Sequence, residues 1–434
     1  MMNVLSKLVL TLFALAPTLS LYGQEANRCA TVEYTQDKKN LFPGLQATEQ
    51  EMSRQVHNMV QSAQHKKYAQ HSVSTVITIP VVFHVVYNTT THNNSVSATR
   101  IQSQLDVLNK DFSKTNTDIV NIPSVWQPLA ANTQIQFCMA TRKPNGDWTN
   151  GIERRQTAMT AYTTGGVDSV KFTSLGGLDA WDPTQYLNIW VINFANGVLG
   201  VTQMPLTGPL STDGICIQYT AFGTGSGLLA NYNKGRTATH EVGHWLGLFH
   251  IWGDDNGTCV GSDSISDTPN QATAHFNCPS FPAVDSCSPV SPGTMFVNYM
   301  DYSYDRCMYM FTLEQSSRMN IVLSTVRTSI LTSVGCNPAI GIEEKELERF
   351  IACYPNPSDE WITVELDFPV AQNMDVSFYD AMGRLLLHEE LRQATTRQVR
   401  LPVSEFPNGI YYLRFTIDGN TLSKRMIVSH PGNN

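Results

Sequence analysis

Charge is sparse in this chain: only 15% of its 434 residues are Asp, Glu, Lys or Arg, and the balance is acidic at −8. No basic patch with interleaved aromatics occurs, so the electrostatic footprint of a nucleic-acid binder is missing. A solvated acidic surface accounts for the net charge. After the first residues no stretch approaches the roughly 18 apolar residues that a membrane-crossing helix needs, so no transmembrane anchor is expected. Beyond residue 340 the sequence holds no His, Cys or Asp cluster at metal-ligand spacing. Histidine is scarce as well, 11 in all, which makes one crowded segment conspicuous.

That segment is HEVGHWLGLFH, from His240 to His250. On a helix, His240 and His244 stack on one face, where two imidazoles can grip one Zn²⁺. Glu241 then stands beside the metal as a general base rather than a ligand. His250 lies too far along for the same straight helix. Gly247, lacking Cβ, can take a left-handed conformation, end the helix and return the chain toward the metal. Three protein ligands with one open position describe a catalytic zinc site, not a structural one. A buried amphipathic helix would explain Val242, Trp245, Leu246 and Leu248, but gives no reason for three histidines and a glutamate at this spacing. The reaction best matched is peptide hydrolysis by a metal-activated water, with Glu241 passing its proton to the leaving amine. The alternative class is a zinc-stabilised, non-proteolytic adhesin.

The run resembles the extended zinc signature of metzincin endopeptidases, H-E-x-x-H-x-x-G-x-x-H. Asn298–Thr312, NYMDYSYDRCMYMFT, is similar to the metzincin Met-turn and the residues just after it. The resemblance assigns Met300 to the hydrophobic floor beneath the ligands. It makes Tyr302 the tyrosine that swings toward the zinc or stabilises the tetrahedral intermediate. Within the clan the chain most resembles pappalysins of the cytophagalysin type. The matching segments are TIPVVFHVVYN at 78–88, GRTATHEVGHWLGLFHIWGD at 235–254, SDTPNQ at 266–271 and NYMDY at 298–302. Relatives often carry two acidic residues before the cysteine that comes after the Met-turn. Here the order is Tyr304, Asp305, Arg306, Cys307. By analogy Asp305 faces the substrate pocket and favours Arg or Lys beside the cut bond, with Arg306 as an alternative partner for its charge.

The start of the chain, MMNVLSKLVLTLFALAPTLSLYG, has Lys7 followed by a short apolar run ending in small and polar residues. It reads as a secretory signal peptide, residues 1–24. The chain is then secreted or cell-surface, exported through the periplasm and outer membrane. In such a compartment cysteines pair. There are nine, at 29, 138, 216, 259, 278, 287, 307, 336 and 353, and the odd count suggests one thiol with a separate task. The resemblance pairs Cys259 with Cys287 and Cys278 with Cys307; spacing alone leaves three connectivities for these four. Cys138 and Cys336 are candidates for a further bridge, and the pairing of Cys138, Cys216, Cys336 and Cys353 stays open. NRCATVEYT, around Cys29, resembles the start of pappalysin-like propeptides. Cys29 Sγ would then hold the open zinc position in a latent zymogen, until a cut between the propeptide and about Thr75, near Lys66 and Lys67. The same resemblance implies a structural Ca²⁺ bound by Asp263, Thr268 and backbone oxygen of Ser266. Plain Asx and Ser turns explain those residues too.

Residues 25–76 are polar, with one helix expected around 48–63, and read as a propeptide. A catalytic domain comes next, at 77–336. Strands are expected at 77–88, 133–140, 186–194 and, irregular and at an edge, 197–205. Helices are expected at 97–112, with Ile101, Leu105, Val107 and Leu108 inward, at 239–248 and at 312–332. The fold expected is an α/β metzincin-type domain with a twisted mixed sheet of about five strands, and an extended polypeptide substrate adding along 197–205. A polar linker, 337–350, leads to 351–434, where β-rich runs between turns fit a small all-β sandwich. YPNPSDE, FYDAMGRLL, NGIYYLRF and SKRMIVSH resemble the C-terminal sorting domain handled by type IX secretion machinery. An accessory binding domain is the competing reading.

Overall fold

The computed structural model describes residues 27–67, 76–337, 344–417 and 420–431. The signal-peptide reading of 1–24 lies outside the described residues, as do Thr75 and residues 338–343 of the linker. Residues 27–67 carry two helices, α1 (Thr31–Leu41) and α2 (Pro43–Lys67), where the sequence suggested one. The break falls at Phe42, which precedes a proline and is therefore driven out of helical geometry; Pro43 then suits the first turn of α2.

The next block contains β1 (Ile77–Tyr87), α3 (Thr90–Ser95), α4 (Ala98–Phe112), β2 (Ile135–Met139), β3 (Ile152–Gln156), β4 (Leu187–Ile192), β5 (Gly200–Thr202), β6 (Ile215–Gln218), α5 (Arg236–Trp245) and α6 (Leu313–Thr325). The sheet order is β2-β1-β4-β6-β5, and β3 also pairs with β1. Six strands therefore replace the five expected. β2 lies against Ile77–Val81 and β3 against Phe83–Tyr87, so two short strands share one side of β1. β1 and β4 are buried along nearly their whole length, as parallel strands covered on both faces must be. β5 alone is antiparallel and forms the far edge.

α4 is capped by Ser97 Oγ, which accepts from Arg100 N at 3.2 Å. Its inner face is Ile101, Leu105, Leu108 and Phe112. Val107 is only partly buried; the inward polar residues are Gln104, which donates to Gly235 O and accepts from Gly223 N, and Asp111, which accepts from Thr239 Oγ1. These side chains join Val81, Phe83, Val85, Val242 and Trp245 in one core. α6 starts with a capping box, Thr312 and Gln315, and stops earlier than expected, a 3-10 turn (Thr328–Thr332) completing the segment. At the break Arg327 turns inward to Asp213 at 3.1 Å, its guanidinium 3.8 Å from the Trp245 ring centroid.

After α7 (Glu344–Phe350) come β7 (Ile351–Tyr354), β8 (Trp361–Asp380), β9 (Leu385–Pro402), β10 (Gly409–Ile417) and β11 (Asn420–Val428). All pair antiparallel, in the order β11-β10-β8-β7 with β9 on β8. The long β8–β9 hairpin shifts register between Asp367 and Met374, the kind of irregularity that bends a strand. Its first half pairs β7 and its second half β10. Ile362 and Leu366 from one half and Val376 and Phe378 from the other share one buried cluster.

Candidate active site

α5 is buried along its whole length. His240 Nδ1 meets Tyr299 O at 2.8 Å, His244 Nδ1 meets Leu248 O at 2.8 Å, and His250 Nδ1 meets Asp254 Oδ1 at 2.9 Å. Each Nδ1 thus has an acceptor, which fixes the tautomer and leaves Nε2 as a free lone pair. The three Nε2 atoms converge, His244 standing 3.1 Å from both His240 and His250. Gly247, at φ +85°, makes the turn that brings His250 back. Cys29 Sγ completes the group, all four donor atoms lying within 4.8 Å of one another. Three imidazole lone pairs and a sulfur facing one point fit a single borderline-soft cation such as Zn²⁺.

Glu241 lies against the edge strand. Its Oε2 accepts from Thr202 Oγ1 at 2.6 Å and from Thr31 Oγ1 at 3.0 Å, while Oε1 is buried without a partner. Burial raises its carboxyl to about 7 against the opposing hydrogen bonds from Thr202, Cys29 and Thr31. A Cβ at Gly200 would stand 2.3 Å from Glu241 Oε1, so only glycine lets strand and carboxylate come this close. Beneath the helix, a Cβ at Gly243 would stand 2.5 Å from Met300 Sδ. Met300 is fully buried there, its backbone N–H held by Asn298 Oδ1 at 2.9 Å. The Tyr302 ring lies 5.0 Å from that of His250, and its hydroxyl donates to the Cys29 carbonyl at 2.9 Å.

Asp305 is buried and bonded on both oxygens. Oδ1 pairs with Arg28 Nη2 at 3.0 Å; Oδ2 accepts from Lys234 N at 2.8 Å and from Arg236 N at 3.3 Å. Arg28 also donates to Ser303 O at 2.8 Å and lies over the Tyr232 ring. Arg306 is not its partner: that side chain is exposed and donates to Asn231 Oδ1 at 3.0 Å.

In the loop after α5, Thr268 Oγ1 donates to Asp263 Oδ2 at 2.8 Å, and Ser266 gives its N–H to Glu314 Oε2 at 2.8 Å. Burial raises the carboxyls of Asp263 to about 7 and Asp267 to about 6, and Asp267 Oδ1 has no partner. The structure links Cys259 to Cys287, Cys278 to Cys307 and Cys138 to Cys336. Three thiols, Cys29, Cys216 and Cys353, are free, not the single one that the odd count suggested. In the C-terminal sheet, Asp375, His388 and Glu390 come within metal-binding distance of each other on the surface. They sit on two paired strands, so no spacing in sequence revealed them.

Arg28, Thr31, Thr202, Gly200 and Asp267 were missed by sequence reasoning. Gly200 and Thr202 lie in the expected edge strand and Asp267 in the SDTPNQ segment, but nothing local marks them as functional.

The peptidase family described as pregnancy-associated plasma protein-A matches residues 177–324, which include the edge strand, the ligand helix and the Met-turn. An extracellular metalloprotease of Arthroderma benhamiae is 34% identical over 248 residues, covering 56% of this chain and 76% of that protein. One from Verticillium alfalfae is 31% identical over 308 residues, covering 70% and 92%.

The chain belongs to the pappalysin family of metalloproteases.

Solved structures of mirolysin from Tannerella forsythia agree. Mature mirolysin with a cleaved peptide is 49% identical, covers 59% of this chain and 96% of that one, and superposes with a TM-score of 0.57. A promirolysin mutant is 43% identical, covers 70% and 97%, and gives a TM-score of 0.62. The expected metzincin fold is therefore present, and the enzyme is a metalloendopeptidase. A secretion system C-terminal sorting domain matches residues 352–429, which makes this pappalysin a secreted or cell-surface protein handled by type IX machinery. Among the described residues no helix is long and apolar enough to cross a membrane.

Proposed function

We propose that the chain is a zinc endopeptidase made as a latent zymogen, with Glu241 as general base and a preference for Arg or Lys beside the scissile bond. Residues 25–76 are the propeptide, 77–336 the catalytic domain, 337–350 a linker and 351–434 the sorting domain. The observation that carries the reading is the sequence pair Arg28–Cys29. One residue is buried against Asp305 and the next against the three histidines.

His240, His244 and His250 would hold the zinc, and Cys29 would hold it in the zymogen. Zinc, when bound, supplies the Lewis acidity that activates water and polarises the carbonyl under attack. Glu241 receives the proton of the attacking water; it follows His240 directly on the ligand helix, and its Oε1 has no hydrogen-bond partner. It then returns the proton to the leaving amine. Tyr302, whose hydroxyl already donates to a main-chain carbonyl at 2.9 Å, would donate to the developing oxyanion. Met300 supports the ligand helix from below.

The contact of Arg28 with Asp305 supports basic specificity, because it shows that a guanidinium fits against the Asp305 carboxylate, whose Oδ1 it pairs at 3.0 Å. Calcium is proposed for the Asp263–Thr268 loop. Burial disfavours the charge on the Asp263 and Asp267 carboxyls, a cost that a hard cation with oxygen ligands would offset, and Asp267 Oδ1 has no protein partner. Asp263, Thr268 and the Ser266 carbonyl, with Asp267, would supply them.

Peptide-library cleavage by the activated enzyme, read by mass spectrometry, tests the reading. Cuts clustered beside Arg and Lys are expected. Cuts spread equally over apolar and basic residues would remove Asp305 as the selector, and no cutting would remove the catalytic assignment.

A further inference from the structure

A second site lies under the first helix of the propeptide. Tyr34 of α1 is 3% exposed, and its ring belongs to the apolar cluster that includes Val167, Val170 and Val201. Its hydroxyl donates to Asp168 Oδ1 at 2.6 Å and accepts from Lys171 Nζ at 3.1 Å. Lys171 Nζ also stands 5.1 Å from the ring centroid. Lys171 is fixed from below: it donates to Thr212 O at 2.7 Å and pairs with Asp168 at 3.2 Å. One helical turn on, Lys38 reaches the other oxygen of Asp168 and donates to Thr212 Oγ1 at 3.3 Å. The catalytic body thus supplies both polar partners of the phenol, an acceptor and a donor, at the end of an apolar wall.

The position of the site relates it to the cleft. α1 packs against β5 and the 3-10 helix Thr164–Lys171. β5 is the edge strand beside Glu241, and residues 27–31 already use it: Ala30 N donates to Gly200 O at 3.0 Å and Thr202 N to Thr31 Oγ1 at 2.8 Å. Cys29 marks the reaction centre, Arg28 the Asp305 side, and Tyr34 the opposite side. One non-helical step from Cys29 to Ala30 and one helical turn from Ala30 to Tyr34, closed by Tyr34 N donating to Ala30 O at 3.0 Å, carry the chain about 9 Å, the reach of about three residues of extended substrate.

We propose that, once the propeptide is removed, this pocket is a substrate subsite. It lies about three residues from the scissile bond, on the side away from Asp305, and takes a tyrosine side chain. The proposal rests on the endopeptidase reading and on loss of residues 27–67 during maturation. Its selectivity comes from the fixed pair at its end. A phenol donates to Asp168 and accepts from Lys171, as Tyr34 does. A phenylalanine ring would fill the wall but leave both groups facing carbon, and polar groups built to bind a hydroxyl reject the analogue that lacks it. Asp168 keeps 31% of its side chain in solvent, so water softens that rejection and the discrimination is moderate.

The test uses the mature enzyme and peptides sharing one arginine-containing cleavage core. Each carries Tyr, Phe or Ala at the second, third or fourth position from the bond on the side away from the arginine. At one of these positions Tyr should exceed Phe in kcat/KM by about tenfold. D168N should bring the Tyr-to-Phe ratio close to one. Equal cutting of the Tyr and Phe peptides at all three positions by the wild-type enzyme overturns the subsite, and so does a D168N ratio as high as that of wild type. Should D168N fail to fold, the wild-type comparison still decides. Absence of cleavage of every peptide, the Ala series included, would instead remove the endopeptidase reading. In a separate measurement, a peptide spanning residues 27–41 should inhibit the mature enzyme, and Tyr34→Phe should weaken it by about tenfold; equal inhibition by the two peptides counts against the phenol contacts.

Discussion

Thr31 Oγ1 donates to Glu241 Oε2 at 3.0 Å, two residues after the cysteine that faces the three histidines. Residues 28–31 therefore cover Glu241 as well as the histidine cluster, with Arg28 buried against Asp305. On the proposed zymogen reading, latency is divided among three neighbouring side chains with different chemistry.

Divided latency predicts partial release. A C29A precursor should cut a fluorogenic peptide faster than the wild-type precursor, but slower than the mature enzyme, because Arg28 and Thr31 still hold the cleft. Initial rates taken before any processing, with gels of the same samples, make the comparison. A C29A precursor as silent as wild type would reject the cysteine as a switch.

E241A should lower kcat/KM by about 10²–10⁴-fold, the range for loss of a positioned acid–base group. Zinc content and circular dichroism should stay close to wild type, since Glu241 holds neither a ligand nor a core apolar contact. Near-normal kcat/KM would remove the assigned base.

D305N keeps an oxygen for the N–H groups of Lys234 and Arg236 but loses the charge. Arg and Lys peptides should be cut about 10–100-fold more slowly, while peptides with apolar residues at that position change little. A uniform loss across all peptides would point to a structural role at the start of α5 instead. Melting temperatures of the two proteins separate these cases.

Calcium should raise the melting temperature of the zinc-loaded enzyme. A ligand at a hundred times its Kd stabilises the folded state by about 2.7 kcal/mol. D267N should reduce that gain. Identical melting curves with calcium and with a calcium chelator, at constant zinc content, would leave the Asp263–Thr268 loop as a plain turn.

A chain ending at Asn337 should keep peptidase activity after activation, because the three bridges and the histidine cluster lie upstream. In the native host the same truncation should stop surface delivery. Loss of catalysis with normal secretion would reverse the division of labour between the two parts.

The ligand helix was legible because coordination ties residue type to spacing: His240, His244, Gly247 and His250 satisfy one local rule. The strands at 77–87 and 187–192 were legible as strongly apolar runs rich in β-branched residues. β3 was not, since IERRQ carries one apolar residue and pairs only with the upper half of β1. Arg28, Thr31 and Tyr34 were illegible for another reason. Their partners Asp305, Glu241 and Asp168 lie 277, 210 and 134 residues away, and a polar segment shows no periodicity that reveals such pairings. The C-terminal part read correctly as β-rich, but alternation alone did not reveal that β8 and β9 form one long hairpin serving both ends of the sheet.

The Cys138–Cys336 bridge spans 198 residues and encloses β4, β5, β6, α5, the Met-turn and α6 in one covalent ring. A protease that shares its surroundings with its own kind is exposed to cuts in its loops. A single cut inside this ring opens a loop but releases no fragment, so ligand helix, edge strand and pocket wall stay tethered. Such a nicked enzyme would migrate as one species until reduced and then separate into pieces, and it could keep working while damaged.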